Sequence, residues 1–453
     1  MDNLGIPPLA GLFTYEEAGT VGYGVQDSVD LLKRYIFVTA RLNSIYAAHL
    51  AHTPEWEVKC AFSYHMWLVA EHSTALRKRV AEMREPPLHL DKAPSADLAA
   101  CFDEVIRARS TTELLVGIYR VVIPELARAL RKHLAETNPL VDQPTCRILK
   151  FTLQEQDEMI AWGHQAIAAL TQDAENARVA EAWARHVQAF LQAAGGIPGD
   201  LSVPGGLPAP EPRADGHPYT MDALPQRDAR FIDPFNQSAM IDSYFSDESR
   251  DYDERVYALY YKRLREIDVP EWMAPIIYKT RGKPWEYYHD LSRQLWDEAR
   301  HAMMGEVGLY HEGMPFYQYP VDIKSSVSLN SEFEPLEAHI ILWGIEQSLM
   351  PRETGKHYEL VVAQESGHPL AVMFQDYDWA DEVLHAQIGR KWLVPELSSM
   401  EQLRATIAPL TARWEDVRDR MKGLSSQEPW WPGFLEEIRR RRELIDLAEQ
   451  SAD

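Results

Sequence analysis

The sequence predicts an all-α fold in two helical bundles, on three observations. Apolar residues recur every three or four positions over most of the 453 residues, as in Val29, Leu32, Tyr35, Ile36, Ala40, Leu42 and Tyr46, which is the spacing of one helix face. The period-two alternation of a half-buried strand is missing throughout. A segment dense in glycine and proline, AAGGIPGDLSVPGGLPAPEPRADGHP at 193–218, divides the chain, because those residues are costly inside a helix.

The first bundle is expected over residues 1–194. Its periodic stretch runs from about Gln26 to Leu191. Pro54 stands just ahead of a long helix reaching about Met83. PPLHLDKAPSADL (86–98) reads as a loop closing with a helix cap, and TNPLVDQPT (137–145) as a second loop. Four or five helices result, enough for an antiparallel bundle. Residues 195–250 are expected to be a linker, irregular to about Asp247. Periodicity resumes at Tyr252, with helices at about 251–266, 269–280, 284–312, 333–350, 354–366 and 369–395. They are separated at Pro270, Gly282-Lys283-Pro284, Pro315 to Pro320, Pro351 and Gly367-His368-Pro369. Residues 251–395 form the second bundle, and 396–453 a helical tail interrupted by EPWWPG (428–433).

Composition narrows the function. Apolar residues at 45% supply a core without cross-links. The three cysteines, Cys60, Cys101 and Cys146, include no C-x-x-C, which argues against a disulfide framework or a cysteine zinc site and fits a reducing cytoplasm. A formal charge of −23 repels phosphate backbones and anionic lipid, so no nucleic-acid partner is expected. The dense basic run, Arg439 to Arg442, lies beside Glu436, Glu437 and Glu443 and reads as a solvated helix face. No stretch reaches the roughly 18–20 apolar residues of a membrane span, and MDNLGIPPLAGLF lacks the basic start of a signal peptide. A cytoplasmic protein away from membranes is the expectation.

Chemistry enters with an internal repeat. WDEARHAMMG (296–305) and ADEVLHAQIG (380–389) share Asp-Glu-x-x-His-Ala-x-x-Gly, each in the middle of an expected helix. An i, i+3 spacing sets Glu298 and His301 within about 60° of each other on one face, and likewise Glu382 and His385. Buried acids and imidazoles need a partner, and two such helices face to face offer oxygen and nitrogen donors around a pair of metal ions. Glu286-x-x-His289 and Glu365-x-x-His368 have the same spacing without the flanking Asp, Ala and Gly. Both fall at helix ends, so they read as structural. Ala302, Gly305, Ala386 and Gly389 lie on the ligand-bearing face, where they allow close helix packing or leave a void beside the metals.

The segment EWMAPIIYKTRGKPWEYYHDLSRQLWDEARHA (271–302) resembles the helix pair of ferritin-like di-iron carboxylate proteins, most closely an uncharacterised bacterial ferritin-like family known as a domain of unknown function. The resemblance covers about 227–395, with RDARFIDPF as lead-in. It implies a ferritin-like four-helix bundle for the C-terminal half, with one further Glu from each of two other helices. Those land on Glu271 and on Glu346 within GIEQSLMPRETG (344–355). Glu266 competes with Glu271, which is favoured. Glu337 and Glu334 compete with Glu346, which alone lies in an apolar stretch where an acid needs a partner. The resemblance also implies that Asp297 and Asp381 hydrogen-bond the free ring nitrogen of a metal-bound histidine. DEARH (297–301) matches the related motif fully, whereas DEVLH (381–385) has Leu384 in place of Arg. His339 and Asp378 stand near enough in sequence to support the site or add a seventh ligand.

The first bundle lacks this pattern. Glu71 and His72 are adjacent and point about 100° apart. Glu125, Glu155 and Glu158 lie on later helices, and the first helix offers only Asp27 and Asp30. A metal-free partner domain is expected, shaping a substrate entrance or a homodimer interface. The leading expectation for function is a non-haem oxidoreductase, in which two ferrous ions reduce dioxygen and the resulting oxidant attacks a small organic molecule, with electrons from a separate donor. Carboxylate and imidazole serve several divalent metals, so Mn/Fe fits the donors as Fe/Fe does. A ferroxidase of the ferritin type and a non-catalytic interaction protein built on salt bridges are the alternatives.

Overall fold

The computed structural model describes residues 4–201, 210–424 and 426–450. Part of the expected linker, 202–209, lies outside the described residues, as do residues 1–3 of the first bundle and 425 and 451–453 of the tail. Among the described residues every regular element is helical and there is no strand. No helix there is long and apolar enough to cross a membrane.

The chain divides into two units. One holds the residues up to Ile45 together with Leu68–Thr220, the other Tyr46–Trp67 and the residues from Met221 on. The division at 220/221 falls within the segment read as a linker. That Tyr46–Trp67 groups with the second unit is marked by no local signal in the sequence.

The first unit comprises α1 (Tyr15–Ala18), most of α2 (Val25–His49), the later part of α3 (Trp56–Met83), α4 (Ala96–Val105), α5 (Thr111–Leu115), a π-helical stretch Val116–Val122, α6 (Ile123–Glu136), α7 (Gln143–Leu170) and α8 (Ala174–Ala193). Hydroxyl and carboxylate caps start several of them. Ser95 accepts from the Leu98 amide, Ser110 from Glu113 and Asp173 from Asn176, each meeting an amide that the first turn leaves unpaired. The periodic residues Val29, Leu32, Tyr35, Ile36 and Leu42 are buried.

The second unit adds α9 (Ile241–Ser246), α10 (Tyr252–Arg265), α11 (Asp268–Lys279), α12 (Trp285–His311), α13 (Lys324–Glu332), α14 (Pro335–Ser348), α15 (Lys356–Ser366), α16 (Pro369–Glu396), α17 (Met400–Arg420) and α18 (Trp431–Gln450). Of these, α9 is a short helix inside the stretch read as irregular to about Asp247, its Ile241 and Phe245 buried in the core, and α13 also departs from the sequence expectation. Its serine-rich sequence KSSVSLNSE favours turns over helix, and it is held by tertiary contacts: it packs on α11 and α17, and Ser326 hydrogen-bonds the buried Asp268.

Four helices of the second unit pack in series, α10 along α12, α12 along α16 and α16 along α14. Gly305 sets the first contact, because a Cβ there would stand 2.3 Å from the Leu264 amide nitrogen and 2.5 Å from the Tyr260 carbonyl oxygen. Gly389 makes room for the Trp343 ring, whose indole donates to the Ala386 carbonyl at 3.1 Å. These glycines serve helix packing. The interruption EPWWPG seats Trp431 in the core, stacked on Phe434 with centroids 4.7 Å apart, beside Tyr261. The basic run is paired: Arg439 with Asp251, Arg440 and Arg441 with Glu437, and Arg442 with Glu312.

Candidate metal centre

α12 brings Asp297, Glu298, Arg300 and His301 to one place, α16 brings Asp378, Asp381, Glu382 and His385, and α14 brings Glu346 from its apolar run. Glu266 is the C-terminal cap of α10. Donor atoms of Glu298, Glu346, Glu382 and His385 lie within 4.8 Å of one another. The same holds for Glu266, Glu298 and His301, and for His301, Asp378 and Glu382. Glu298 spans the first two groups: its Oε1 is 3.1 Å from His385 Nδ1 and its Oε2 3.7 Å from His301 Nδ1.

Both imidazoles turn Nδ1 inward, and their supports are crossed. His301 Nε2 donates to Asp381 Oδ2 at 3.1 Å, and His385 Nε2 lies 3.5 Å from Asp297 Oδ2. Each Asp of the repeat thus faces the ring on the other helix, Asp381 through a hydrogen bond and Asp297 as a charge at longer range. A carboxylate only accepts, so it holds the proton on Nε2 and directs the Nδ1 lone pair into the cluster. Arg300 lies 2.7 Å from Asp297 and 2.6 Å from Asp381. One guanidinium serves both acids, so Leu384 deprives the second helix of nothing.

Sequence reasoning missed two buried cations. Lys356 Nζ lies 2.8 Å from Asp378 Oδ1, 2.8 Å from Glu382 Oε1 and 3.3 Å from Glu266 Oε1. Arg263 lies 3.1 Å from Glu266 and 3.0 Å from Glu359, and also pairs with Asp378. Arg263 hides in the sequence among Lys262 and Arg265, which reads as a basic last turn. Lys356 carries a usable signal: it is the first residue of α15, where the helix dipole disfavours a cation.

Two expected residues stand elsewhere. Glu271 belongs to none of the three groups, and its buried carboxylate pairs with Lys59 and Arg227. Glu266, the competing position, is the one that lies with Glu298 and His301. His339 is buried against Tyr287, ring centroids 5.9 Å apart, and also lies outside the groups. Asp378, expected at the margin, reaches within 3.3 Å of His301 Nδ1. The other two Glu-x-x-His motifs stay apart, His289 near Asp290 and His368 against Asp253. In the first unit His72 pairs with Glu155, and Glu125 with Arg128.

A cation suits this cluster. Among the described residues His301 Nδ1, His385 Nδ1, Glu266 Oε2, Asp378 Oδ2 and Glu382 Oε2 have no hydrogen-bond partner. Each unmet buried group costs about 1–3 kcal/mol, more when charged. One or two divalent ions with mixed oxygen and nitrogen preference would satisfy them together. Protons respond to the same imbalance. Against burial, the surrounding carboxylates Asp378, Asp381, Glu266 and Glu298 hold His301 well above the usual imidazole range. His385 is raised likewise, against burial, by Asp297, Glu298 and Glu382. Burial, then repulsion from Glu382, raises Glu346.

Glu266 also lines a cavity of about 840 Å³ in the second unit, whose walls include Lys262, Asp268, Trp272, Tyr358 and Trp414. Of the residues grouped above, Glu266 reaches this cavity, which is large enough for a small organic molecule. No family model, no curated protein and no solved structure matches the chain.

Proposed function

We propose that the second unit is a ferritin-like di-metal bundle formed by α10, α12, α14 and α16, and that the protein is a non-haem di-iron oxidoreductase acting on a small organic molecule with dioxygen. The observation that carries this is Glu298, whose two oxygens face the inward nitrogens of two different histidines. A single carboxylate so placed suits two ions side by side. Glu266, Glu298 and His301 would hold one ion, and Glu298, Glu346, Glu382 and His385 the other. Mn/Fe suits the same donors.

When bound, the ions would supply the electrons that reduce dioxygen. The chain's own part is geometric and electrostatic. Asp297, Asp381 and Arg300 fix the imidazoles, and burial of Glu298, Glu346 and Glu382 excludes water. The cavity at Glu266 would place the organic molecule beside the cluster, which favours this reading over iron storage. An external electron donor completes the cycle.

Protein from iron-supplemented cells should carry close to two irons per chain when saturated with ferrous ion. Its dioxygen uptake should not grow with excess ferrous ion. Uptake that scales with added ferrous ion would make iron itself the substrate. An iron-free protein that binds no divalent metal would leave a salt-bridge network alone.

A further inference from the structure

We propose that the two metal positions differ in affinity, the Glu298/Glu346/Glu382/His385 position filling first and the Glu266/Glu298/His301 position filling weakly, because Lys356 and Arg263 already occupy the acids of the second. This rests on the proposed di-metal site and adds an order of loading to it. The near-symmetry of the repeat would by itself make the positions equal. Each offers a Glu and a His three residues apart, and each histidine is supported by the aspartate of the opposite helix.

Resident cations break that symmetry. Glu266 Oε1 faces both Arg263 at 3.1 Å and Lys356 at 3.3 Å. Asp378, the further acid beside His301, pairs with the same two cations. Among the described residues Glu298 and Glu346 have no ion pair with lysine or arginine. Glu346 accepts a hydrogen bond from the neutral Gln294 at 3.1 Å. Glu382 meets Lys356 through Oε1 and keeps Oε2 toward His385, 3.3 Å away. An incoming divalent ion thus finds two carboxylates free of cations and half of a third at one position. At the other, apart from the shared Glu298, it finds acids already paired, Glu266 and Asp378, with two positive charges close by. Like charges at such distances repel strongly in a buried site.

The placement of Lys356 is built into the backbone. Its side chain is fully buried although it opens a helix, against both the desolvation cost of an ammonium and the helix dipole. The turn before it is tight: the Lys356 amide donates to the Leu349 carbonyl at 3.0 Å. A Cβ on Gly355 would stand 2.0 Å from that same oxygen. The loop therefore delivers this lysine to the acids and nowhere else.

The test is anaerobic titration of the metal-free full chain with Co(II), followed calorimetrically, and with Mn(II), followed by electron paramagnetic resonance. Two equivalents should bind, the first on the order of ten- to a hundredfold tighter. The first Mn(II) should give an isolated-ion signal and the second a coupled pair. Glu266→Gln should remove the weak phase alone, and Glu346→Gln should weaken the tight one. Lys356→Met should strengthen the weak phase at least ~10-fold and narrow the gap. Two equal equivalents, or an unchanged gap in a folded Lys356→Met protein, would overturn the asymmetry while leaving the metal site standing. If Lys356→Met does not fold, selective loss of the tight rather than the weak phase in Glu266→Gln overturns it. A chain that binds neither metal refutes this inference and the metal reading together.

Discussion

Gly305→Ala sets two known effects against each other at a position where the structure decides the sign. Exchanging glycine for alanine in mid-helix gains about 1 kcal/mol of helix propensity. The new Cβ would meet the Leu264 nitrogen at 2.3 Å and the Tyr260 oxygen at 2.5 Å, both backbone atoms. Ordinary contact begins near 3.4 Å, so α10 must retreat from α12 by about 1 Å in an interior packed as densely as a crystal. Overpacking of this kind costs about 1–3 kcal/mol, and against backbone the upper end applies. A net loss of about 1–2 kcal/mol is expected, read as a lower urea midpoint by circular dichroism. The retreat also carries Glu266, two residues beyond Leu264, away from Glu298. Metal donors tolerate roughly 0.2 Å, so Co(II) binding at the Glu266 position should weaken more than the fold does. Gly308→Ala meets the ring of the fully buried Tyr260, its Cγ at 2.6 Å, and should also destabilise the fold, but by crowding a side chain and not the α10 backbone. An unchanged midpoint with unchanged metal binding in Gly305→Ala would refute the account of how α10 is positioned.

Other outcomes rest on the same geometry. Arg300→Met removes one shared partner of Asp297 and Asp381 and should weaken Co(II) binding about 10- to 100-fold; calorimetry that shows no change would mean that Arg293, which pairs with the same two acids, suffices to hold them. Glu271→Gln should keep both metals but lower stability by about 3 kcal/mol, because Lys59 and Arg227 lose a buried counter-charge; losing one metal per chain instead would restore Glu271 as a ligand. In the first unit burial lowers His133 from 6.5 to about 4. Its folded form resists a proton that the unfolded chain accepts, so its contribution is complete above pH 6.5 and lost as pH falls through 4. The full effect is about 3 kcal/mol, and urea midpoints at pH 7 and 4.5 should converge in His133→Gln if the histidine is the cause.

What the sequence revealed was whatever one helix could show by itself. Glu298 with His301, and Glu382 with His385, were legible because spacing within a helix fixes which side chains share a face. Glu346 was legible because an acid amid Ile341, Leu342, Trp343 and Ile345 has to be met by something. The choice between Glu266 and Glu271 was not, since it depends on where α10 stops and on Lys59, 212 residues away in sequence. Lys356 was hidden for a related reason: its burial comes from the turn between Leu349 and Gly355, and turn geometry leaves little trace in periodicity. Helix α13 and the grouping of Tyr46–Trp67 with the second unit are likewise decided by packing between distant segments.

The crossed supports and the resident cations point in one functional direction. Asp297 with His385, Asp381 with His301 and one Arg300 for both make the two halves of the cluster near-equivalent. Equivalence ends at Glu266, which carries Arg263 and Lys356 on one oxygen and lines the cavity as well. The position loaded last on electrostatic grounds is therefore the one beside the space where a substrate would sit. A tightly held ion deep against Glu346 and a weakly held one at the cavity would make assembly of the complete pair depend on metal supply. Oxidising capacity would then appear only when both ions are present next to the bound molecule, and a chain carrying one ion should bind substrate without consuming dioxygen.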